Sequence, residues 1–118
     1  MPPRKTWVFN PGVGGKKIPD PIKHVVEERI KRTAEKHFKG KYTRLIIRFK
    51  GKFCYIDAYR EPNVFFHLCR LRYFDDDNWG FAFYTYSHEK YELSVYANGK
   101  FTGKPEDAFL LSAVYLTA

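Results

Sequence analysis

The sequence predicts an α+β domain: a five-stranded antiparallel meander, with room for a sixth short strand, packed on one face by an N-terminal and a C-terminal helix. Three observations lead there. Residues 42–97 break into short runs rich in Tyr, Phe, Ile and Val, separated by turn-forming segments, as hairpin-linked strands do. An apolar stripe at helical spacing precedes them, and a Pro-started apolar segment with acids in its first turn follows. With 118 residues, 44% of them hydrophobic and 19% aromatic, the chain suffices for one two-layer core, so residues 1–118 are expected to form a single domain.

Residues 1–19 read as extended or loop. Trp7–Phe9 has the length of a short edge strand, and Asn10–Lys17 (NPGVGGKK) reads as a loop, since Asn-Pro and clustered Gly form turns. A phosphate-binding loop would need Gly in place of Asn10 and Ser or Thr in place of Lys17, and Ile18–Pro19 interrupts any immediate helix. The first helix is expected over residues 20–39, with Asp20 as N-cap, Pro21 at the first helical position and Gly40 as the stop. Ile22, Val25, Val26, Ile30, Ala34 and Phe38 form its apolar stripe, and Glu27–Lys31, Glu28–Arg32 and Glu35–Lys39 pair on the wet side.

The stretch Tyr42–Arg60 sets the faces of the sheet. A two-residue turn at Lys50–Gly51 puts Ile47 opposite Cys54, Leu45 opposite Ile56 and Arg44 opposite Asp57. Treating Glu61–Val64, Asp75–Asn78 and Ser87–Lys90 as four-residue hairpin loops extends that register to residue 97. One face then gathers Leu45, Ile47, Cys54, Ile56, Ala58, His67, Cys69, Leu71, Tyr73, Ala82, Tyr84, Tyr86, Tyr91, Leu93, Val95 and Ala97, and is the expected core side. The other interleaves Arg44, Arg48, Arg70 and Arg72 with Phe53, Tyr55, Phe81, Phe83 and Tyr96. Asn98–Gly99 marks a tight turn before a stub strand at Lys100–Thr102, and the closing helix is expected over residues 105–116.

Charge is unevenly spread over the net +8. Residues 1–74 hold eighteen Lys/Arg against six Asp/Glu, and residues 75–118 hold three against seven. That asymmetry suits an anionic partner as well as plain solubility. The first residues lack the apolar core of a signal peptide, and no run reaches membrane-spanning length, so a cytoplasmic protein without a membrane partner is expected. Cys54 and Cys69 read as free thiols. With His67 they fall on the expected core face without the spacing of a zinc site, so structural roles are expected. Asp75–Asp77 lacks the alternating ligands of a calcium loop, and His88–Glu89 lacks an orienting partner. The chain therefore offers no catalytic or metal signature, implies no cofactor, and reads as non-enzymatic.

The Arg/aromatic face is the functional lead. Rings stack on unpaired bases and guanidinium groups pair with phosphates, so single-stranded nucleic acid is the expected partner. The contact set is Arg44, Arg48, Phe53, Tyr55, Arg70, Arg72, Phe81, Phe83 and Tyr96, with Lys16, Lys17 and the first helix extending the positive field. A homodimer through the same face is the alternative, as is a small-ligand pocket if the sheet curls. In topology alone, a meander followed by a helix is similar to the single-stranded nucleic-acid binders of the Whirly and PUR-repeat type. No residue motif accompanies that likeness.

Overall fold

The computed structural model describes residues 13–61 and 63–117. The chain runs α1 (Asp20–Phe38), β1 (Arg44–Lys50), β2 (Phe53–Tyr59), β3 (Phe65–Asp75), β4 (Asn78–Thr85), β5 (Lys90–Leu93), β6 (Thr102–Gly103), α2 (Pro105–Ser112) and α3 (Val114–Thr117). The strands form one antiparallel sheet in the order β1-β2-β3-β4-β5, with β6 paired to β4. The fold is α+β, as the pattern predicts. The edge strand expected at Trp7–Phe9, and Asn10–Gly12 of the loop, lie outside the described residues.

In α1 the stripe is Val26, Ile30, Ala34 and Phe38, all buried, whereas Val25 is half exposed. Asp20 is not the N-cap. Pro19 holds that position in extended conformation, and Asp20 sits in the first turn, where its carboxylate suits the helix dipole and pairs with Lys23 at 3.2 Å. Gly40 stops the helix at a φ of +82°. The expected closing helix is broken at Ala113 into α2 and α3. The core lies where α1 and α2 meet the first face of the sheet, and includes Ile30, Ile56, Leu71, Trp79 and Phe109. Each such side chain contributes about 1.5–3 kcal/mol by leaving water.

Three register details decide which side chains share a face. The first turn is Gly51–Lys52, one residue later than expected, with Lys50 paired to Phe53. That moves each partner by two positions and leaves both faces intact. Arg44 therefore faces Tyr59 instead of Asp57, and Ile47 faces Ile56. In β3 the register shifts beside Ile56–Asp57: Cys69 pairs with Ile56 but His67 with Asp57, so Leu68 is the extra residue of a bulge. Strict alternation would have buried His67 and exposed Leu68. The bulge instead buries Leu68 and Cys69 completely and turns His67 to the opposite face.

A second shift, at Phe74, lies between Tyr73–Trp79 and Asp75–Asn78. It slips β4 by one residue, so Trp79, Phe81 and Phe83 turn inward while Gly80, Ala82 and Tyr84 turn outward. Large rings replace a glycine and an alanine in the core, which favours this register by the apolar area it removes from water. Phe81 is 5% exposed and Phe83 packs against the core. Tyr96, 4% exposed, donates its hydroxyl to the Trp79 carbonyl at 2.7 Å. A Cβ on Gly103 would lie 2.8 Å from the Tyr96 ring, so glycine is needed there for space.

Both cysteines are free and buried. Burial pushes both thiols up, Cys69 from 9.0 to about 12. Burial, helped by Asp76, likewise takes the Tyr73 phenol from 10.0 to about 12. Between pH 9 and 12 the unfolded chain has released protons that the folded chain keeps, so folding stability falls as pH rises through that window. The melting temperature is expected to drop steadily above pH 9, less steeply in Cys69→Ala; a flat profile from pH 9 to 11 would contradict this.

Candidate functional site

On the second face the pleat lines up side chains in cross-strand rows. One runs Lys50–Phe53–Arg72–Gly80–Thr102, the next Arg48–Tyr55–Arg70–Ala82–Leu93. Beyond them lie Ile46–Asp57–His67 and Arg44–Tyr59–Phe65. Gly80 and Ala82 leave space beside the long stems of Arg72 and Arg70. A Cβ on Gly80 would already touch Phe74 at 3.3 Å and the Arg72 Cβ at 3.4 Å.

The arginines lie over rings. The Arg70 guanidinium is 4.7 Å from the centre of Phe53 and 5.5 Å from that of Tyr91. Arg72 is 4.8 Å from Phe53, Arg48 is 4.9 Å from Tyr55, and Arg44 is 5.0 Å from Tyr59. Such contacts are each worth about 0.5–1 kcal/mol at exposed sites. They hold the cations against the sheet. Arg72 also donates to the Gly14 carbonyl at 2.8 Å, and burial followed by the adjacent Arg70 charge lowers its pKa. Arg70 has no carboxylate partner among the described residues.

Asp57, 1% exposed, is the one buried carboxylate among the described residues. Its Oδ2 accepts from Nη2 of Arg48 at 3.0 Å and from Nε at 3.2 Å, and its Oδ1 lies 3.0 Å from Nδ1 of His67. Arg48, not Arg44, is thus the partner of Asp57, reaching it diagonally. Around His67 stand Phe65 (4.9 Å between ring centres), Tyr84 (4.8 Å) and Tyr91 (6.2 Å). Burial, reinforced by the Asp57 charge, raises the Tyr91 phenol, which stays protonated at neutral pH.

At one end of this face, residues 14–18 are pinned against the sheet: Lys16 N–H donates to the Tyr73 carbonyl at 2.9 Å and Ile18 N–H to that of Gly51 at 3.0 Å. Gly15 has a φ of +94°, and a Cβ there would meet the Tyr73 carbonyl oxygen at 3.0 Å, so the strap needs glycine to lie this close. Between strap and first turn is a shallow cleft of about 490 Å³. Lys16, Lys17, Lys50 and Lys52 rim it, and Phe53 and Tyr55 floor it. A comparable cleft beside Tyr96, Gly103, Asp107 and Leu111 is lined by a carboxylate and no cation.

Of the nine expected contact residues, Arg44, Arg48, Phe53, Tyr55, Arg70 and Arg72 share this face. Phe81, Phe83 and Tyr96 do not. The Phe74 bulge carries the two phenylalanines into or against the core, and the chain leaves the sheet after Leu93, so that Tyr96 packs 5.6 Å from Phe81 inside the protein. Tyr84 and Tyr91, expected inside, take their place outside. The contrast in bulk between Trp79, Phe81 and Phe83 and the alternating Gly80 and Ala82 is the sequence signal for this register. No group of three or more His, Cys, Asp or Glu is placed to hold a metal ion among the described residues, and none of their helices is long and apolar enough to cross a membrane. No family model, curated protein or solved structure matches the chain.

Proposed function

We propose that the Arg/aromatic face binds single-stranded nucleic acid with little sequence preference. The observation that carries this reading is Arg70: a guanidinium without a carboxylate partner among the described residues, set over Phe53 and Tyr91 beside a lysine-rimmed cleft. A ligand matching it carries repeated negative charge and exposed planar rings, and an unpaired strand supplies both. Arg48, Arg70, Arg72 and the cleft lysines pair with phosphates, and Tyr55 and Tyr91 offer ring surface to bases. Phe53, covered by Arg70, Arg72 and Lys52, holds the cations in place. A homodimer through the same face is disfavoured, because it would press two copies of one cation-rich surface together.

Fluorescence anisotropy with a labelled 20-residue oligothymidylate tests the reading. Binding is expected at low salt, with log Kd changing by about 0.7 per phosphate contact for each tenfold rise in salt, so four contacts give a slope near 3. Duplex of the same length is expected to compete weakly, since its bases are stacked away. Absence of binding at 50 mM salt would overturn the proposal. A two-chain mass abolished by Tyr91→Asp would instead favour the dimer.

A further inference from the structure

The Asp57–His67 pair is left unused by binding alone. A carboxylate only accepts hydrogen bonds, so its contact places a proton on Nδ1, and in the neutral imidazole the Nε2 lone pair is then free. Nε2 has no hydrogen-bond partner among the described residues, and the side chain is one-third exposed. Nε2 is therefore open to solvent or to a ligand on the exposed side of the ring. The β3 bulge serves the same arrangement. It frees the His67 backbone N–H, which donates to the Tyr86 hydroxyl at 2.7 Å, and turns the ring from the core to Asp57. Two cations flank it. Arg48 shares the Asp57 carboxylate, and Arg70 lies over Tyr91, whose ring stands beside the imidazole. An oriented base beside phosphate-binding cations is a layout for phosphodiester chemistry that needs no metal.

We propose that His67 is the general base of a metal-independent cleavage of single-stranded RNA, with Asp57 as its positioning residue. This rests on the binding proposed above, which brings the strand to the face. Nε2 takes the proton of a ribose 2′-hydroxyl, and the 2′ oxygen forms a bond to the adjacent phosphorus. The P–O5′ bond breaks, and the departing 5′ oxygen takes a proton from water. His67 then returns its proton to solvent, so protons balance and no redox partner is needed. Arg48 and Arg70 hold the charged phosphate. The products are a 2′,3′-cyclic phosphate and a free 5′-hydroxyl, and DNA, lacking the 2′-hydroxyl, is bound and left intact.

The test is a single-turnover assay at saturating protein, in EDTA, on a labelled single-stranded RNA, with DNA of the same sequence as a binding control. The full-length protein is expected to yield cyclic-phosphate ends, and His67→Gln to slow the step by about 10²- to 10⁴-fold while melting as a folded protein. Asp57→Asn is expected to slow it too and to move the imidazole proton toward Nε2 in two-bond ¹⁵N–¹H spectra; a slowed step with the tautomer unmoved would overturn the positioning role of Asp57. RNA that is bound yet intact, or cut equally fast by His67→Gln, overturns the assignment while leaving the binding proposal standing. Failure to bind either strand removes both.

Discussion

Trp79→Ala is expected to remove about 3–5 kcal/mol of folding stability, a large share of the roughly 5–15 kcal/mol that holds a domain together. For a chain of this size that is a fall of roughly 10–20 °C in melting temperature. Trp79 is fully buried, its ring centre lies 4.8 Å from that of Tyr73, and its Nε1–H donates to the Asp76 carbonyl at 3.0 Å. Its backbone pairs with Gly103, and its carbonyl receives the Tyr96 hydroxyl. One residue thus joins the β3–β4 turn, the short β6 strand and the core. The alanine variant loses the ring, leaves a cavity, and strips the Asp76 carbonyl of its indole donor. Trp79→Phe refills most of the space and should recover more than half of the loss. Thermal and urea melting followed by circular dichroism measure both. A loss below about 1 kcal/mol would show that the slipped β4 register is wrong.

Arg70→Ala is expected to weaken binding of single strands by about 1–3 kcal/mol, roughly 5- to 150-fold, with little change in melting temperature. The side chain meets the strand in two ways, through N–H groups to phosphate and through a planar surface beside Phe53 and Tyr91. It has no carboxylate partner among the described residues, so its removal strands no buried charge. Arg70→Lys keeps the charge and loses the planar fork, so it should recover only part of the affinity. Arg72→Ala makes a useful contrast. Arg72 is nearly buried and donates to Gly14, so its loss should lower stability and affinity together. Anisotropy titrations of the three variants separate these effects. Unchanged affinity in Arg70→Ala would remove this arginine from the interface.

Much of the face was legible because pleat alternation is robust to even-numbered shifts. The turn at Gly51–Lys52 instead of Lys50–Gly51 moved every partner by two positions and kept Arg48, Phe53 and Tyr55 outside. Arg70 and Arg72 stayed with them because β2 and β3 keep the expected register from Phe53 to Ile56. A one-residue bulge is different, because it exchanges the two faces beyond it. The run FFHLCRL around His67 alternates well enough to hide one, and only the cost of burying an imidazole in place of Leu68 argues for it. At Phe74 the clue was bulk, with Trp79, Phe81 and Phe83 alternating against Gly80 and Ala82. Weighing side-chain volume as well as polarity would have brought Tyr84 and Tyr91 to the open face and sent Phe81 and Phe83 inward. Asp57 shows the same limit: its place on the face was legible, while its partners followed from registers that the turns alone did not fix.

Ultraviolet crosslinking of a bromouridine-substituted single strand, with the adducts mapped by mass spectrometry, tests the central claim most directly. Adducts are expected on peptides of β2 and β5, at Tyr55 and Tyr91, and to fade as salt rises. Adducts confined to α1 or α2, or a yield that ignores salt, would place any nucleic-acid contact elsewhere and contradict the role assigned to this face.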